Sequence, residues 1–115
     1  MKQLSEIKTI SKEEQILLMR CSRAIKRTEP SAEVIFYGSR ARGEASYDSD
    51  YDLLILIDGE VSLEKKEIIY HKLYPIELET EKVLSIIVYS KQQWDTPLYR
   101  IMPLHKNVER EGVVI

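Results

Sequence analysis

The sequence predicts an α+β fold, in which a small mixed β-sheet carries helices packed on one side. The predicted elements follow the order helix, strand, strand, helix, strand, helix. The loop over residues 38–50 is too short for a crossover helix, so the two strands that it joins are expected to pair antiparallel or in a mixed sheet. Residues 53–57, Leu-Leu-Ile-Leu-Ile, form an uninterrupted apolar run. Such a run is typical of a central strand that is buried on both faces.

The first helix is predicted from its start signal and its apolar spacing. Ser11 and Glu14 match a capping box, in which each side chain accepts a hydrogen bond from the backbone amide of the other residue. Leu17 and Cys21 then follow at helical spacing. Pro30 bounds the helix, because the residue before a proline avoids helical geometry.

The next elements are bounded by small, polar or cyclic residues. Residues 34–37 form a short apolar strand that Gly38 ends. Ser62 is the predicted cap of a second helix, which Pro75 interrupts. Residues 83–89 are again rich in branched apolar side chains and predict a third strand.

The C-terminal part of the chain predicts one more helix and a terminal strand. Pro103 suits the first turn of a helix, where its missing N–H costs nothing. Gly112 is expected to end that helix. Residues 113–115, Val-Val-Ile, are expected to add a strand at the edge of the sheet.

Length and composition favour one globular domain over residues 1–115. A chain of 115 residues, 43% of them hydrophobic, can bury one core. Seventeen basic and nineteen acidic residues give a net charge of −2, which does not favour duplex nucleic acid as a partner. The single cysteine excludes an internal disulfide. No signal peptide or membrane-spanning run is recognisable, so we expect a cytoplasmic protein that does not bind a membrane.

Gly38 and Ser39 directly follow an apolar strand, where a turn suits phosphate binding. Glycine lets the backbone approach a ligand closely. Free amides at the start of a short helix from Ser39 attract phosphate, and Arg40 and Arg42 add positive charge. An ordinary turn explains the same residues and, on turn statistics alone, is the commoner interpretation.

Asp50 and Asp52 favour a functional site over an ordinary turn. They immediately precede the buried strand and, two residues apart in an extended chain, point to the same side. Neighbouring carboxylates repel each other, and a divalent cation removes that repulsion. Because magnesium prefers one or two carboxylates plus substrate phosphates, the pair predicts a metal site for a nucleoside triphosphate. Two alternatives remain: Asp48 and Asp50 could form the pair, or the segment could be a solvated acidic turn.

Together these residues resemble a known family. Gly38-Ser39, ten intervening residues and then Asp50-Tyr51-Asp52 before Leu-Leu-Ile-Leu resemble the signature of minimal nucleotidyltransferases in the DNA polymerase β-like superfamily. The resemblance extends from about residue 34 to the C-terminus and implies the nucleotidyltransferase fold. It implies that Gly38 and Ser39 hold the β- and γ-phosphates and that Asp50 and Asp52 hold two Mg²⁺ ions. An acceptor hydroxyl would then attack the α-phosphorus of the nucleotide. We expect this nucleotide to be ATP.

One position departs from the pattern of the family. Members commonly carry a third carboxylate on a later strand, where it completes the metal site nearest the acceptor. Ser85 stands at that position here, and a neutral hydroxyl is a poor magnesium ligand beside a carboxylate. Tyr37 and Tyr51 flank the site and are aromatic candidates for contact with the nucleotide. Three glutamates that precede the later strand are candidates to replace the missing carboxylate: Glu77, Glu79 and Glu81.

Two functions follow from the residues and the resemblance. The first is a metal-dependent nucleotidyltransferase that moves a nucleoside monophosphate from an NTP to a hydroxyl acceptor, which can be a partner protein. The second is a nucleotide-binding regulatory or antitoxin-like subunit with weak or no catalysis. The resemblance implies a helical HEPN-type partner protein, since minimal members often act beside one. A sugar- or antibiotic-modifying enzyme would need further helices. The nucleotide, the acceptor and any assembly into a homo-oligomer stay open.

Overall fold

The computed structural model describes residues 1–115 and is organised around a five-stranded sheet. Across the sheet the strands take the order β1-β5-β2-β3-β4. They are β1 (Lys2–Gln3), β2 (Glu33–Tyr37), β3 (Tyr51–Ile57), β4 (Leu84–Ser90) and β5 (Val113–Val114). Strand β2 pairs antiparallel with β3, and β3 pairs parallel with β4. The predicted mixed sheet is therefore confirmed.

Six helices connect the strands. They are α1 (Lys12–Thr28), α2 (Ser39–Arg42), α3 (Leu63–Thr80), α4 (Lys91–Trp94), α5 (Pro97–Arg100) and α6 (Pro103–Glu111). The capping box of Ser11 and Glu14 is present at the start of α1, and Pro103 occupies the first turn of α6 as predicted. None of the helices combines the length and the apolar composition that a bilayer crossing requires.

Helix α3 continues through Pro75, so the predicted interruption is wrong. Pro75 lies on the exposed side of the helix, where it removes one backbone donor at a cost of about 3 kcal/mol. On the other side, Ile69, Leu73 and Ile76 are buried in the core. Burial stabilises by about 2 kcal/mol for each such side chain, and together the three offset the effect of the proline.

The C-terminal strand β5 is an inner strand, so the prediction of an edge strand is wrong. It pairs antiparallel with β2 on one side and parallel with β1 on the other. The edge is formed by β1, a strand of two residues, Lys2 and Gln3. So short a polar segment carries no alternating pattern from which a strand could be predicted.

The sheet separates two hydrophobic cores. The larger core lies between the sheet and the two long helices, α1 and α3. The smaller core lies on the opposite face and contains Trp94 of α4 and Val108 of α6. We call these surfaces the α1–α3 face and the α6 face. The prediction of helices on one side holds for the two long helices, whereas short C-terminal helices cover the α6 face. Strand residues of the smaller core are Ile35, Leu54 and Leu56.

Candidate functional site

Asp52 projects from the start of β3 onto the α6 face. It alternates with Leu54 and Leu56, which belong to the core on that face. Burial, and after it the negative charge of Asp50, raises the pKa of the Asp52 carboxyl above its usual range. The two carboxylates therefore lie close enough to repel each other, as the sequence predicted. This is an arrangement that a bound cation would relieve.

Asp48 points to different partners. Its Oδ1 accepts a hydrogen bond from the Ser46 hydroxyl at 3.0 Å within the loop. The charges that act on Asp52 are those of Asp50, Arg42 and Glu111. The geometry therefore favours Asp50 and Asp52 as the pair over Asp48 and Asp50.

Gly38 lies against the Asp52 carboxylate. Its φ of 87° is in the left-handed region, which side chains disfavour. A Cβ atom built on Gly38 would also overlap Oδ2 of Asp52. The contact follows from the register of the antiparallel pair, in which Tyr37 lies opposite Asp52. Both the backbone conformation and the neighbouring carboxylate therefore require a glycine here.

The chain turns directly from Gly38 into α2, which spans Ser39–Arg42 and is capped by Gly43. We call residues 38–43 the Gly38 loop. The Arg42 amide donates to the Gly38 carbonyl at 3.1 Å, which closes the first turn of the helix. The loop therefore begins beside Asp52, and the two parts of the predicted motif are brought together.

Arg40 is not brought to the site. Its Nε donates to the Ser49 carbonyl at 2.7 Å, and its guanidinium lies 4.4 Å from the centre of the Tyr51 ring. Tyr51 is buried in the core of the α1–α3 face, where its hydroxyl donates to Glu14 at 2.9 Å. Arg40 and Tyr51 thus lie on the face of the sheet opposite to Asp52, where Arg40 binds the segment that precedes β3. The phosphate contact expected of Arg40 and the nucleotide contact expected of Tyr51 do not fit this placement.

Tyr37 lies on the same face as Asp52. Its ring packs against the smaller core. Burial, followed by the negative charge of Asp52, raises the pKa of the Tyr37 hydroxyl to about 12. The hydroxyl therefore stays protonated near neutral pH, and Tyr37 remains the aromatic candidate for contact with a nucleotide.

Arg42 lies near Asp52 and is paired with Glu111, a residue that the sequence did not single out. Arg42 Nη1 donates to both carboxylate oxygens of Glu111 at 3.0 Å. The Gly38 amide donates to Glu111 Oε1 at 3.1 Å. The Glu111 side chain is only 7% exposed. No local pattern marks a glutamate at a helix end as buried, because its partners come from a distant part of the chain.

Ser85 is the residue directly opposite Asp52 in the parallel ladder of β3 and β4. It lies on the α6 face, since Ile87 and Tyr89 pack against the core of that face. Neighbouring strands are about 5 Å apart, so a carboxylate at this position would adjoin Asp52. The position expected for the third carboxylate is thus next to the pair, and a neutral hydroxyl occupies it.

None of the three nearby glutamates replaces that carboxylate. Glu77 Oε2 accepts the backbone N–H of Leu84 at 3.0 Å, so it caps the start of β4. Glu79 pairs with Arg20 at 2.8 Å, on the surface between α1 and α3. Glu81 is exposed at the end of α3.

A cleft of about 550 Å³ opens beside Ser85. Its walls come from α3 and from the start of β4. Because α3, Leu84 and Ile86 belong to the α1–α3 face, the cleft lies on that face at the β4 edge of the sheet, whereas Asp52 lies on the α6 face. The lining residues are Tyr70, His71, Tyr74, Glu77, Leu84, Ser85 and Ile86.

The acidic residues can supply part of a metal site. No group of three or more histidine, cysteine, aspartate or glutamate side chains is arranged to hold a metal ion. The pair of Asp50 and Asp52 nevertheless fits Mg²⁺, which takes one or two protein carboxylates and completes its shell with water and substrate phosphates. The protein would thus contribute two ligands, and the nucleotide would contribute others.

Comparison with known families agrees with this geometry. The sequence profile of the nucleotidyltransferase domain family matches residues 18–111, a range that contains the Gly38 loop, both aspartates and Ser85. The chain therefore belongs to the nucleotidyltransferase domain family, and the predicted fold is confirmed. Domains of this family generally use nucleoside triphosphates and divalent metal ions. A search among curated proteins found no match.

Proposed function

We propose that this chain is a metal-dependent nucleotidyltransferase that moves a nucleoside monophosphate from an NTP, with ATP as the expected donor, to a hydroxyl acceptor. The observation that carries the proposal is the contact between Gly38 and Asp52, which joins a strand-end loop to a carboxylate pair. Membership of the nucleotidyltransferase domain family supports nucleotidyl transfer in general. The particular ligands, ATP and Mg²⁺, are part of our proposal.

Each part of the site has a role in this proposal. Gly38 and Ser39 receive the β- and γ-phosphates, because a residue without a side chain lets them approach the backbone. Asp50 and Asp52 hold Mg²⁺, whose charge, when it is bound, neutralises the triphosphate and stabilises the leaving pyrophosphate. Tyr37 lies beside Asp52 as a protonated hydroxyl that can donate to the nucleotide.

The acceptor is proposed to approach from the side of Ser85. The Gly38 loop occupies the β2 side of Asp52, whereas Ser85 lies on its β4 side, at the edge of the sheet. The acceptor oxygen forms a bond to the α-phosphorus, and the bond from that phosphorus to the β-phosphate oxygen breaks. Pyrophosphate leaves, and the hydroxyl proton passes to a base. Because Ser85 cannot take that proton, we infer that solvent or a partner protein accepts it.

The neutral Ser85 favours a second candidate function. The chain would bind nucleotide and Mg²⁺ as a regulatory or antitoxin-like subunit beside a helical HEPN-type protein, with weak or no transfer. Its support is that a hydroxyl stands directly opposite Asp52 and that none of Glu77, Glu79 and Glu81 replaces the missing carboxylate. The two functions share one nucleotide site and differ in whether transfer follows binding.

Two labels distinguish these functions in one experiment. The protein is incubated with Mg²⁺, a helical partner protein and ATP labelled at either the α- or the γ-phosphate. Nucleotidyl transfer should leave the α-label on the acceptor and release the γ-label as pyrophosphate. Binding of Mg²⁺-ATP without any transfer of the α-label would favour the regulatory subunit. Transfer of the γ-label to the acceptor, or no binding of any NTP, would contradict both functions.

A further inference from the structure

We propose that Glu111 is a positioning residue of the nucleotide site, where it fixes the Gly38 loop and orients Arg42 beside the phosphates. The proposal rests on the function proposed above, since it assigns a task in nucleotide binding to a residue outside the recognised motif. Glu111 lies 73 residues after Gly38 in the chain. Its carboxylate nevertheless holds both the first amide of the loop and the arginine at the end of α2.

The position of Glu111 follows from the pairing of β5. In the antiparallel ladder with β2, Phe36 lies opposite Val113. Continued by two residues, this register brings Glu111 opposite Gly38. Gly112 lets the chain pass closely at this point, because a Cβ atom there would overlap the Val108 carbonyl oxygen. The pairing of β5 with β2 therefore places the Glu111 carboxylate next to the Gly38 loop.

Three hydrogen bonds make Glu111 a fixed part of the loop. Its Oε1 accepts from the Gly38 amide at 3.1 Å and from Arg42 Nη1 at 3.0 Å, and its Oε2 accepts from the same Nη1 at 3.0 Å. The Glu111 side chain is 7% exposed, whereas that of Arg42 is 38% exposed, so the carboxylate is shielded from water and the guanidinium stays accessible. Hydrogen bonds between charged groups are stronger than those between neutral groups.

The same contacts decide which part of Arg42 is free. Glu111 binds Nη1, and Glu44 Oε2 accepts from Nε at 3.0 Å. Arg42 Nη2 makes no hydrogen bond to the protein. We infer that the guanidinium is held in one orientation, with Nη2 left to donate to a phosphate oxygen. An arginine held in this way loses less conformational entropy when a phosphate binds than a mobile one would.

A different role for Glu111 predicts the opposite effect of its removal. If the carboxylate only occupied a place meant for a phosphate, it would compete with the nucleotide. Removing it would then strengthen binding. If the carboxylate positions the loop, removing it weakens binding, because the Gly38 amide and Arg42 lose their common partner.

Calorimetry with Mg²⁺-ATP separates these roles. Glu111→Ala should bind about tenfold more weakly than wild type, the scale of one hydrogen bond to a charged group. Glu111→Gln keeps an oxygen that can accept from Gly38 and should lose less. Glu109→Gln, which changes an exposed glutamate of the same helix, should bind like wild type. In the transfer assay the Glu111 variants should raise KM for the nucleotide and leave kcat close to wild type.

Hydrogen exchange of the Gly38 amide, measured by NMR without nucleotide, tests the positioning independently. Exchange should be faster in Glu111→Ala and close to wild type in Glu109→Gln. If the alanine variant fails to fold, Glu111→Gln, with nearly unchanged volume, carries the test. Equal or tighter Mg²⁺-ATP binding by a folded Glu111 variant would overturn the proposal, as would unchanged exchange of the Gly38 amide. Should wild type bind no nucleotide, the proposed function fails, and the exchange measurement still decides whether Glu111 fixes the loop.

Discussion

Asp52 and Ser85 lie directly opposite each other on neighbouring parallel strands, with both side chains on the α6 face of the sheet. Asp52 is crowded by Asp50 on one side and faces a neutral hydroxyl on the other. The resemblance to the minimal nucleotidyltransferases predicts a third carboxylate at the position of Ser85. Restoring that carboxylate is therefore a direct test of what limits transfer.

Ser85→Asp should increase metal-dependent transfer of the α-label by about tenfold or more, because general-base catalysis contributes at least that much. Without Mg²⁺ the variant should be less stable than wild type, since a third negative charge adds to the repulsion around Asp52. Ser85→Asn is the matched control of similar volume and should show neither effect. Strong labelling by wild type with no gain in Ser85→Asp would show that another group already supplies the base.

Gly38→Val should lose both nucleotide affinity and stability. A branched side chain disfavours the φ of 87° and would overlap the Asp52 carboxylate, so we expect a loss of about 2 kcal/mol in the free energy of unfolding. Binding of Mg²⁺-ATP, measured well below the melting temperature, should fall by about tenfold or more.

Gly59→Ala provides the control for the glycine substitution. Gly59 has a φ of 75° but no close neighbour, since a Cβ atom at this position would lie 3.9 Å from the nearest atom, Lys65 Nζ. This variant should lose some stability and keep its nucleotide affinity. A Gly38→Val protein that binds Mg²⁺-ATP like wild type would reduce the Gly38 loop to an ordinary turn.

Arg40→Met should affect stability and leave nucleotide binding nearly unchanged. The Arg40 side chain is 12% exposed and donates to three backbone carbonyls that precede β3, those of Ser46, Tyr47 and Ser49. Chemical denaturation should show a loss of about 2 kcal/mol, while the Kd for Mg²⁺-ATP stays within about threefold. Arg20→Met removes a surface ion pair and should cost less than about 1 kcal/mol. A stable Arg40→Met variant that no longer binds nucleotide would show instead that Arg40 contacts the phosphates.

The parts of the fold that sequence predicted are those with local causes. The capping box of Ser11 and Glu14, the apolar run of β3 and the proline at the start of α6 each act within a few residues. The continuation of α3 through Pro75 depends on burial of one helix side against α1 and the sheet. No reasoning from the proline alone could have anticipated that packing.

The same distinction applies to the site. Strand geometry predicted that Asp50 and Asp52 point to one side, and the resemblance to the family implied that Gly38 serves the same site. The positions of Arg40 and Glu111 could be known only from the tertiary structure. The side of the sheet to which Arg40 turns is set by Glu14 and Tyr51, and the burial of Glu111 depends on the pairing of β5 with β2.

Substitution of the aspartates tests the central claim, that Asp50 and Asp52 form the metal-dependent nucleotide site. Because burial and repulsion raise the pKa of Asp52 in the folded protein, ionisation of this carboxyl lowers the free energy of unfolding at pH values above that pKa. Asp52→Asn removes this cost and should be no less stable than wild type at neutral pH. A loss of binding in this variant would therefore not reflect unfolding.

Calorimetric titration of Mg²⁺-ATP into wild type, Asp50→Asn, Asp52→Asn and the loop control Asp48→Asn is the most direct measurement. We expect wild type and Asp48→Asn to bind alike, and both other variants to lose Mg²⁺-dependent binding by about a hundredfold or more, as expected when a carboxylate ligand of the ion is removed. Undiminished binding by both Asp50→Asn and Asp52→Asn, in proteins that remain folded, would contradict the assignment of the site.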